Sequence, residues 1–298
     1  MFSQYFGQYL LNNSLITNEQ LKDALQLQAS THVKLGVLSV NAGFMNSSQV
    51  DEVHEKQKQV DKRFGEIAID LGYLTEEQLD QLLSGQKQNH LILGQALVDC
   101  GYMNIDQFST ALNNYKKEHS LSDEQFEAIK SGDIDTLVDT TIELGETANK
   151  ELYSNYLSLL AKNLIRFIDD QVRLEAKQLN GDQYQAQWYV SQVIKGDQNL
   201  STGLGCDEDT FIKFASIYSE ETLSEVDELA KDSVSEFLNL HNGIYLVNMS
   251  NRGIELNMEP QQIQENVVLV TNGANENNSV KLIVTAYLSF GTIDIALS

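Results

Sequence analysis

The first 118 residues repeat one unit of 29 residues four times. A glycine and a glutamine recur at this interval, at Gly7, Gly36, Gly65 and Gly94, and at Gln20, Gln49, Gln78 and Gln107. Each copy has 24 residues and is followed by a five-residue spacer. Because one such unit cannot bury its apolar face alone, the four copies should stack into an all-α domain over residues 1–118.

Each copy predicts two short helices. The first helix should end where a residue with left-handed φ is favoured, at Ser14, Gly43, Gly72 and Gly101 in the four copies. The second should begin with a capping box, because a Thr or Asn is followed three residues later by Gln. These cap residues are Thr17, Asn46, Thr75 and Asn104.

This repeat resembles the MshEN-type module at the N-terminus of type II secretion and type IV pilus ATPases, over residues 5–115. The resemblance implies binding of cyclic di-GMP, with an Arg-Leu-Gly opening whose Arg meets a phosphate or guanine. That Arg position holds Tyr5, Lys34, Arg63 and Ile92 in the four copies. The implied nucleotide-binding residues are therefore those of the adjacent second and third copies, Lys34, Leu35, Gly36, Arg63, Phe64 and Gly65.

The alternative for the repeats is a degenerate platform that serves docking or dimerisation. We favour it because the losses fall on the charged position while the packing positions are kept. Lys34 can supply charge but cannot form the bidentate fork of an arginine.

Residues 119–147 read as a connector of two short helices. Ser122 and Gln125 form a capping box, and Gly132 and Gly145 mark helix ends. The segment has no proline and no Ser/Gly run, so we expect a packed helical hinge rather than a flexible tether.

Residues 148–298 predict an α+β domain of two layers, with long helices against a mostly antiparallel sheet. Helices are expected at 152–172, 208–219 and 223–242, and strands at 184–190, 200–206, 244–249, 254–258, 267–271 and 280–290. The glycines at 203 and 205 favour a bulge in the second strand. The last strand, from Val280, is long and apolar, and we expect it at an exposed edge.

The helix predicted at 223–242 carries the candidate site. One stripe is apolar and includes His241, which we expect at the edge of the core, whereas Asp232, Glu236, Asn239 and Gly243 lie on nearly the opposite face. Glu236 and Asn239 are three residues apart and can address one target together. The same Glu-x-x-Asn spacing recurs at Glu146 and Asn149, which we interpret as surface residues.

With Pro260, the only proline of the chain, the pattern of Asp232, Glu236, Asn239 and Gly243 resembles the signature helix of the CheC/CheX/FliY chemotaxis phosphatases. It is most similar to CheX, which has one such helix per chain. The resemblance covers roughly residues 148–298. It implies a CheX-like fold and a homodimer formed through the sheet.

The resemblance also implies a reaction. Glu236 would pair with the active-site lysine of a phosphorylated CheY-like response regulator, and Asn239 would orient the water that attacks its aspartyl phosphate. The partner would supply Mg²⁺, and this chain would need no cofactor of its own. An acyl phosphate is already reactive, so positioning a water is sufficient catalysis. Asparagine suits this role because it is neutral and both donates and accepts hydrogen bonds.

Composition limits the other classes of function. The formal charge is −23, from 43 acidic and 20 basic side chains, which argues against nucleic acid and anionic membrane surfaces as partners. No apolar run approaches the roughly 20 residues that span a bilayer. Cys100, Cys206 and the scattered histidines have no metal-like spacing, so we expect a cytoplasmic protein with reduced thiols and no metal site.

Three functions remain open. The first is an enzyme that hydrolyses the aspartyl phosphate of a response regulator. The second is an adaptor that binds the receiver domain through the same surface without hydrolysis. The third is a cyclic di-GMP receptor, in which the repeats regulate the C-terminal domain.

Overall fold

The computed structural model describes residues 1–28, 34–57, 62–84, 89–142, 144, 149–177, 183–271 and 279–298. They form two compact units, Phe2–Asp133 and Ile134–Ser298, the latter together with Met1. The division falls inside the predicted connector. Gly145 and Glu146 of that connector lie outside the described residues, as does the Asn-rich turn at 272–278.

The N-terminal unit is all-α. Its helices are α1 (Phe2–Asn12), α2 (Asn18–Gln28), α3 (Leu35–Asn41), α4 (Ser47–Gln57), α5 (Phe64–Asp70), α6 (Glu76–Ser84), α7 (Asn89–Asp99), α8 (Ile105–Glu118) and α9 (Asp123–Ser131). Each copy of the repeat supplies two of α1 to α8, as predicted.

The predicted helix ends are also confirmed. In all four copies the cap side chain accepts from the backbone N–H of the glutamine, and the glutamine Oε1 accepts from the backbone N–H of the cap, over 2.8 to 3.2 Å. The second residue after each first helix has positive φ: 54° at Ser14, 70° at Gly43, 74° at Gly72 and 71° at Gly101. Ser122 caps α9 in the same way, and Gly132 ends it with a φ of 99°.

The repeated glycine is explained by the packing of the two helices of a copy. A Cβ on Gly36 would lie 2.8 Å from Val50, and one on Gly65 would lie 2.8 Å from Leu79. Equivalent contacts join Gly7 to Leu21, at 3.1 Å, and Gly94 to Phe108. A side chain in copies two to four would force these neighbours to move, and one in copy one would require a small shift of Leu21, so close packing favours glycine at the 29-residue interval.

The C-terminal unit has an α+β fold. Its helices are α10 (Ile134–Thr141), α11 (Lys150–Phe167), α12 (Glu208–Ser219) and α13 (Glu228–Ser250). Its strands are β1 (Arg173–Ala176), β2 (Gln183–Gly196), β3 (Leu200–Cys206), β4 (Leu256–Met258), β5 (Gln262–Thr271), β6 (Ser279–Val280), β7 (Leu282–Leu288) and β8 (Gly291–Leu297).

The strands form one sheet in the order β1-β7-β8-β3-β2-β5-β6, and β4 pairs with β2. Among the described residues, the strand pairings are antiparallel except that of β5 with β6. Side chains of α11, α12 and α13 share one core with the sheet. Within it the rings of Phe214 and Phe237 meet edge to face, with centroids 4.9 Å apart. The predicted two-layer class with a mostly antiparallel sheet is therefore confirmed.

The bounds of α13 differ from those predicted for the helix at 223–242. It begins at Glu228 rather than near 223, because the Asp227 side chain caps it and accepts from the Ala230 backbone N–H at 2.8 Å. It also continues to Ser250, so residues 244–249 are helical and the predicted strand there is wrong. The physical reason is that buried Tyr245 and Met249 extend the apolar stripe every four residues.

The predicted exposed edge at the last strand is also wrong. Strand β7, which follows Val280, lies between β1 and β8. Residues 168–172, predicted as the end of the helix at 152–172, lie beyond its last residue, Phe167, and neither β1 nor β8 was predicted. The β3 bulge is likewise absent, since β2 and β3 pair residue by residue from Trp188–Cys206 to Ile194–Leu200.

Candidate functional site

Helix α13 presents the candidate residues on its outer face. Asp232 and Glu236 are exposed, and Asn239 and Gly243 are half-buried. The opposite face holds Val234, Phe237, Leu238 and His241, all buried in the core. The acid and the amide therefore project together from a helix that is firmly packed on its other side.

Glu236 and Asn239 contact each other. Asn239 Nδ2 lies 3.4 Å from Glu236 Oε2, at the long end of the hydrogen-bond range. Among the described residues no Lys or Arg forms an ion pair with Glu236. Burial and, secondarily, the Glu236 carboxylate raise the pKa of Tyr218 on α12. Because no described Lys or Arg pairs with it, the Glu236 carboxylate is available to a cation from outside the chain.

Gln192 of β2 supports Asn239 from the interior. Its side chain is 2% exposed, and its Nε2 donates to Asn239 Oδ1 at 3.1 Å and to the Glu259 carbonyl oxygen at 2.8 Å. Its Oε1 accepts from Asn242 Nδ2 at 2.8 Å. All the hydrogen-bonding atoms of this buried amide are therefore used, as the burial of an amide requires.

Asn242 extends this network into the core. It is fully buried on α13, three residues after Asn239, and its Nδ2 also donates to Thr202 Oγ1 at 3.0 Å. Its Oδ1 accepts from the Tyr156 hydroxyl at 2.8 Å. Burial raises the pKa of Tyr156, so the hydroxyl keeps its proton and can donate. We refer to Gln192, Asn242, Thr202 and Tyr156 as the buried network.

The residues of the buried network were not among those predicted from the sequence. A signal was available, because Gln192 alternates with Val190 and Ile194, which makes it a polar residue on the apolar face of a strand. Asn242 similarly interrupts the core side of a helix. Buried polar residues of this kind require partners, and the partners here lead to Asn239.

His241 was predicted at the edge of the core and lies fully inside it. It is fully buried, its Nδ1 lies 3.0 Å from Asn163 Nδ2, and its ring meets that of Tyr156 edge to face at 4.5 Å. Burial lowers the pKa of His241 to about 3, so the ring is neutral near pH 7.

The remaining members of the predicted pattern lie at the C-terminal side of the pair. A Cβ on Gly243 would lie 3.9 Å from Met258 Cε, in ordinary contact. Glu259, next to Pro260, is held to β2 because its backbone N–H donates to the Val193 carbonyl at 2.9 Å. The segment before Pro260 thus supplies the carbonyl that fixes Gln192.

The nucleotide-binding residues predicted in the repeats have other contacts. Lys34 Nζ lies 2.6 Å from Asp99 Oδ1, and the Lys34 backbone N–H donates to Gln95 Oε1 at 2.9 Å. Arg63 is exposed and precedes α5, and its backbone N–H donates to Glu66 at 2.8 Å.

The apolar members of the same set pack between copies two and three. A Cβ on Gly65 would lie 3.2 Å from Leu35, and one on Gly36 would lie 3.5 Å from Phe64. These four residues therefore have a packing role of their own, whatever the repeats bind.

Within the described ranges, no three or more His, Cys, Asp or Glu side chains cluster as metal ligands would. Cys100 and Cys206 are free thiols. None of the helices in the described part of the chain combines the length and the apolar character needed to cross a bilayer.

Comparisons with known proteins give a likeness only at the level of structure. No protein-family model matches the chain, and no curated protein matches it. The solved structures that match include a chemotaxis protein CheX from Desulfovibrio desulfuricans, with 11% identity and a TM-score of 0.40. This match covers 50% of this chain and 98% of that one.

Two further matches are of the same kind. A CheC-like superfamily protein from Shewanella sp. PV-4 has 17% identity and a TM-score of 0.40, and the match covers 50% of this chain and 97% of that one. A CheX–CheY–BeF3–Mg²⁺ complex from Borrelia burgdorferi matches with 18% identity and a TM-score of 0.37, over 49% of this chain and 96% of that one.

Proposed function

We propose that the C-terminal unit hydrolyses the aspartyl phosphate of a phosphorylated CheY-type receiver domain. The observation that carries the proposal is the pair on α13 formed by the exposed Glu236 and the half-buried Asn239, which contact each other at 3.4 Å and have no basic partner among the described residues. A receiver is also the partner named in the Borrelia burgdorferi complex. The proposal depends on the residue pair and its geometry, not on that likeness.

A projecting pair suits a substrate that is carried by another protein. Glu236 offers a carboxylate to a receiver lysine, and Asn239 offers a neutral donor and acceptor beside the phosphoryl group. The receiver would hold Mg²⁺ at its own site. Because this chain would enter the site of its partner, it needs no deep pocket of its own.

The proposed reaction requires little from the protein. A water oxygen attacks phosphorus, the bond between phosphorus and the aspartyl oxygen breaks with its electron pair, and the products are phosphate and a free aspartate. The leaving carboxylate has a pKa of about 4, so it needs no proton from an acid. Orientation of the water by Asn239 is then the main contribution.

The test is the rate of phosphate loss from a phosphorylated CheY-type receiver with Mg²⁺ present. We expect the full chain to accelerate it, and we expect Asn239→Ala to remove the acceleration. Asn248→Ala is the matched control, because Asn248 is an exposed asparagine on the same helix. If the chain binds the phosphorylated receiver and leaves its rate of phosphate loss unchanged, it is an adaptor rather than a phosphatase.

For the repeats we propose a docking or regulatory platform rather than a cyclic di-GMP site. The supporting observation is the ion pair of Lys34 with Asp99. Lys34 and Arg63 are the two basic residues that copies two and three retain at the Arg position of the repeat, and this pair engages one of them. Tyr5, at the same repeat position in copy one, is buried. The surviving features of the repeat, its caps and its close-packed glycines, are those that build the helices.

A further inference from the structure

The donors and acceptors of the buried network can be assigned in only one way. A main-chain carbonyl oxygen can accept but not donate. The Thr202 hydroxyl lies 3.0 Å from the Gln192 carbonyl oxygen and must therefore donate to it. The Thr202 oxygen then accepts from Asn242 at 3.0 Å, so the atom that Asn242 turns toward it is Nδ2.

The same reasoning extends to Asn239. Since Asn242 Nδ2 also donates to Gln192, the receiving atom is Gln192 Oε1, and Gln192 Nε2 lies at the other end of that amide. The Glu259 carbonyl oxygen, 2.8 Å from Nε2, requires the same orientation independently. The second hydrogen of Nε2 points at Asn239 over 3.1 Å, so the atom there is Oδ1.

We propose that Gln192 is a positioning residue, which fixes the Asn239 side chain by its Oδ1 and thereby turns Asn239 Nδ2 outward, toward Glu236 and the incoming phosphoryl group. This inference rests on the proposed function and adds a residue on which that function depends. Asn239 Oδ1 can accept a second hydrogen bond, which the attacking water would donate. Without Gln192, the amide of a half-exposed asparagine would rotate freely and exchange its donor and acceptor.

Packing alone does not account for a glutamine at position 192. Its neighbours on the same face of β2, Val190 and Ile194, are apolar and fully buried. An apolar side chain there would avoid the cost of burying an amide. The Gln192 amide provides a donor to Asn239, which an apolar side chain cannot do. Its bonds to the Glu259 carbonyl and to Asn242 hold that donor in place.

The first experiment uses the full chain with a phosphorylated CheY-type receiver and Mg²⁺. In Gln192→Leu we expect kcat to fall by about 10- to 100-fold, as for other displaced catalytic groups, with KM changed by less than about twofold. Gln185→Leu is the control, because Gln185 is an exposed glutamine on the same strand. Equal kcat in the wild type and in Gln192→Leu would overturn the inference while the proposed function stood.

Gln192→Glu provides a test that a purely structural role would not satisfy. An ionised carboxylate can only accept hydrogen bonds, so it would draw Asn239 Nδ2 inward in place of Oδ1. This reversal of the Asn239 amide should lower kcat. Protonation of that carboxyl at lower pH would restore one donor. We therefore expect the ratio of variant to wild-type kcat to rise as the pH falls, and the same ratio for Gln192→Leu to stay flat. A flat ratio for both variants would contradict the assignment.

A second readout does not depend on activity. In ¹⁵N NMR spectra we expect the Asn239 side-chain amide to be restricted in the wild type and mobile in Gln192→Leu. In Gln192→Glu at neutral pH we expect it to be restricted in the reversed orientation, with shifted amide resonances. The Asn248 amide should be the same in all three. If the wild type fails to accelerate phosphate loss, the proposed function fails, and this readout alone decides the positioning role. Unchanged order at Asn239 in Gln192→Leu would overturn it.

Discussion

The Tyr156 hydroxyl donates to Asn242 Oδ1 at 2.8 Å and joins α11 to α13 below the candidate site. Both residues are buried, and they lie 86 positions apart in the sequence. This bond satisfies the side-chain acceptor of Asn242, whose Nδ2 already donates to Gln192 and to Thr202. Asn242 therefore links the core of the C-terminal unit, through Gln192, to the orientation of Asn239 beside Glu236.

Tyr156→Phe is expected to destabilise the C-terminal unit. The substitution leaves the buried Asn242 Oδ1 without a donor, which costs about 1 to 3 kcal/mol of the free energy of unfolding. Urea unfolding followed by circular dichroism measures the loss. Tyr287→Phe, at an exposed tyrosine of β7, is the control. Equal stability of Tyr156→Phe and the wild type would contradict the role given to this bond.

Alanine substitution of the repeated glycines should destabilise the N-terminal unit to different degrees. Gly94→Ala is expected to cost the most, about 1 to 3 kcal/mol, because its Cβ would meet the ring of Phe108. Gly7→Ala should cost the least, since the new Cβ would lie 3.1 Å from its nearest neighbour, the Leu21 side chain.

Thermal unfolding of the two glycine variants measures this order. In Gly94→Ala, the further substitution Phe108→Leu should recover part of the loss, which the double-mutant cycle would show as coupling. Equal effects at Gly94 and Gly7, or no coupling to Phe108, would mean that the contact does not explain the glycine.

His241 should make the stability of the C-terminal unit depend on pH. Burial lowers its pKa from 6.5 to about 3 in the folded state. As the pH falls, the unfolded state therefore takes up the proton before the folded state does. The stability that neutral His241 gives the folded state is fully present above about pH 6.5. Below that value the free energy of unfolding falls by roughly 1.4 kcal/mol per pH unit.

The variant His241→Asn keeps an acceptor for Asn163 and removes the titrating ring. We expect its free energy of unfolding to fall less steeply than that of the wild type between about pH 6.5 and about pH 5. Chemical unfolding at several pH values gives the two slopes. Parallel slopes would show that His241 does not titrate as its burial requires.

Calorimetry with cyclic di-GMP tests the platform assigned to the repeats. We expect the full chain to show no binding heat at nucleotide concentrations of about tens of micromolar. The control is Lys22→Ala, at an exposed lysine of α2. Binding in this range that is lost in Arg63→Ala and retained in Lys22→Ala would contradict the platform and favour a nucleotide receptor.

The sequence predicted the repeat unit well because its signals are local. Capping boxes at Thr17 or Asn104 need only residues three apart, and a glycine with positive φ ends a helix without reference to the rest of the fold. The outer face of α13 was also predictable, because helical periodicity alone separates Glu236 from the buried Phe237.

The errors arose where distant contacts decide the structure. Residues 244–249 have high strand propensity, yet burial of Tyr245 and Met249 continues the helix. The edge predicted at Val280 was wrong because β1, about a hundred residues earlier, pairs with β7. Gln192 and Asn239 are 47 positions apart, and only the folded sheet brings them together.

The most direct test of the central claim is the number of phosphate ions released per chain. With the phosphorylated receiver in excess, we expect the wild type to release many phosphates per chain beyond spontaneous loss. We expect Asn239→Ala to release none while it binds a BeF3-activated receiver with a Kd within about twofold of the wild type. Equal turnover by Asn239→Ala and the wild type, or no turnover by the wild type, would contradict the account.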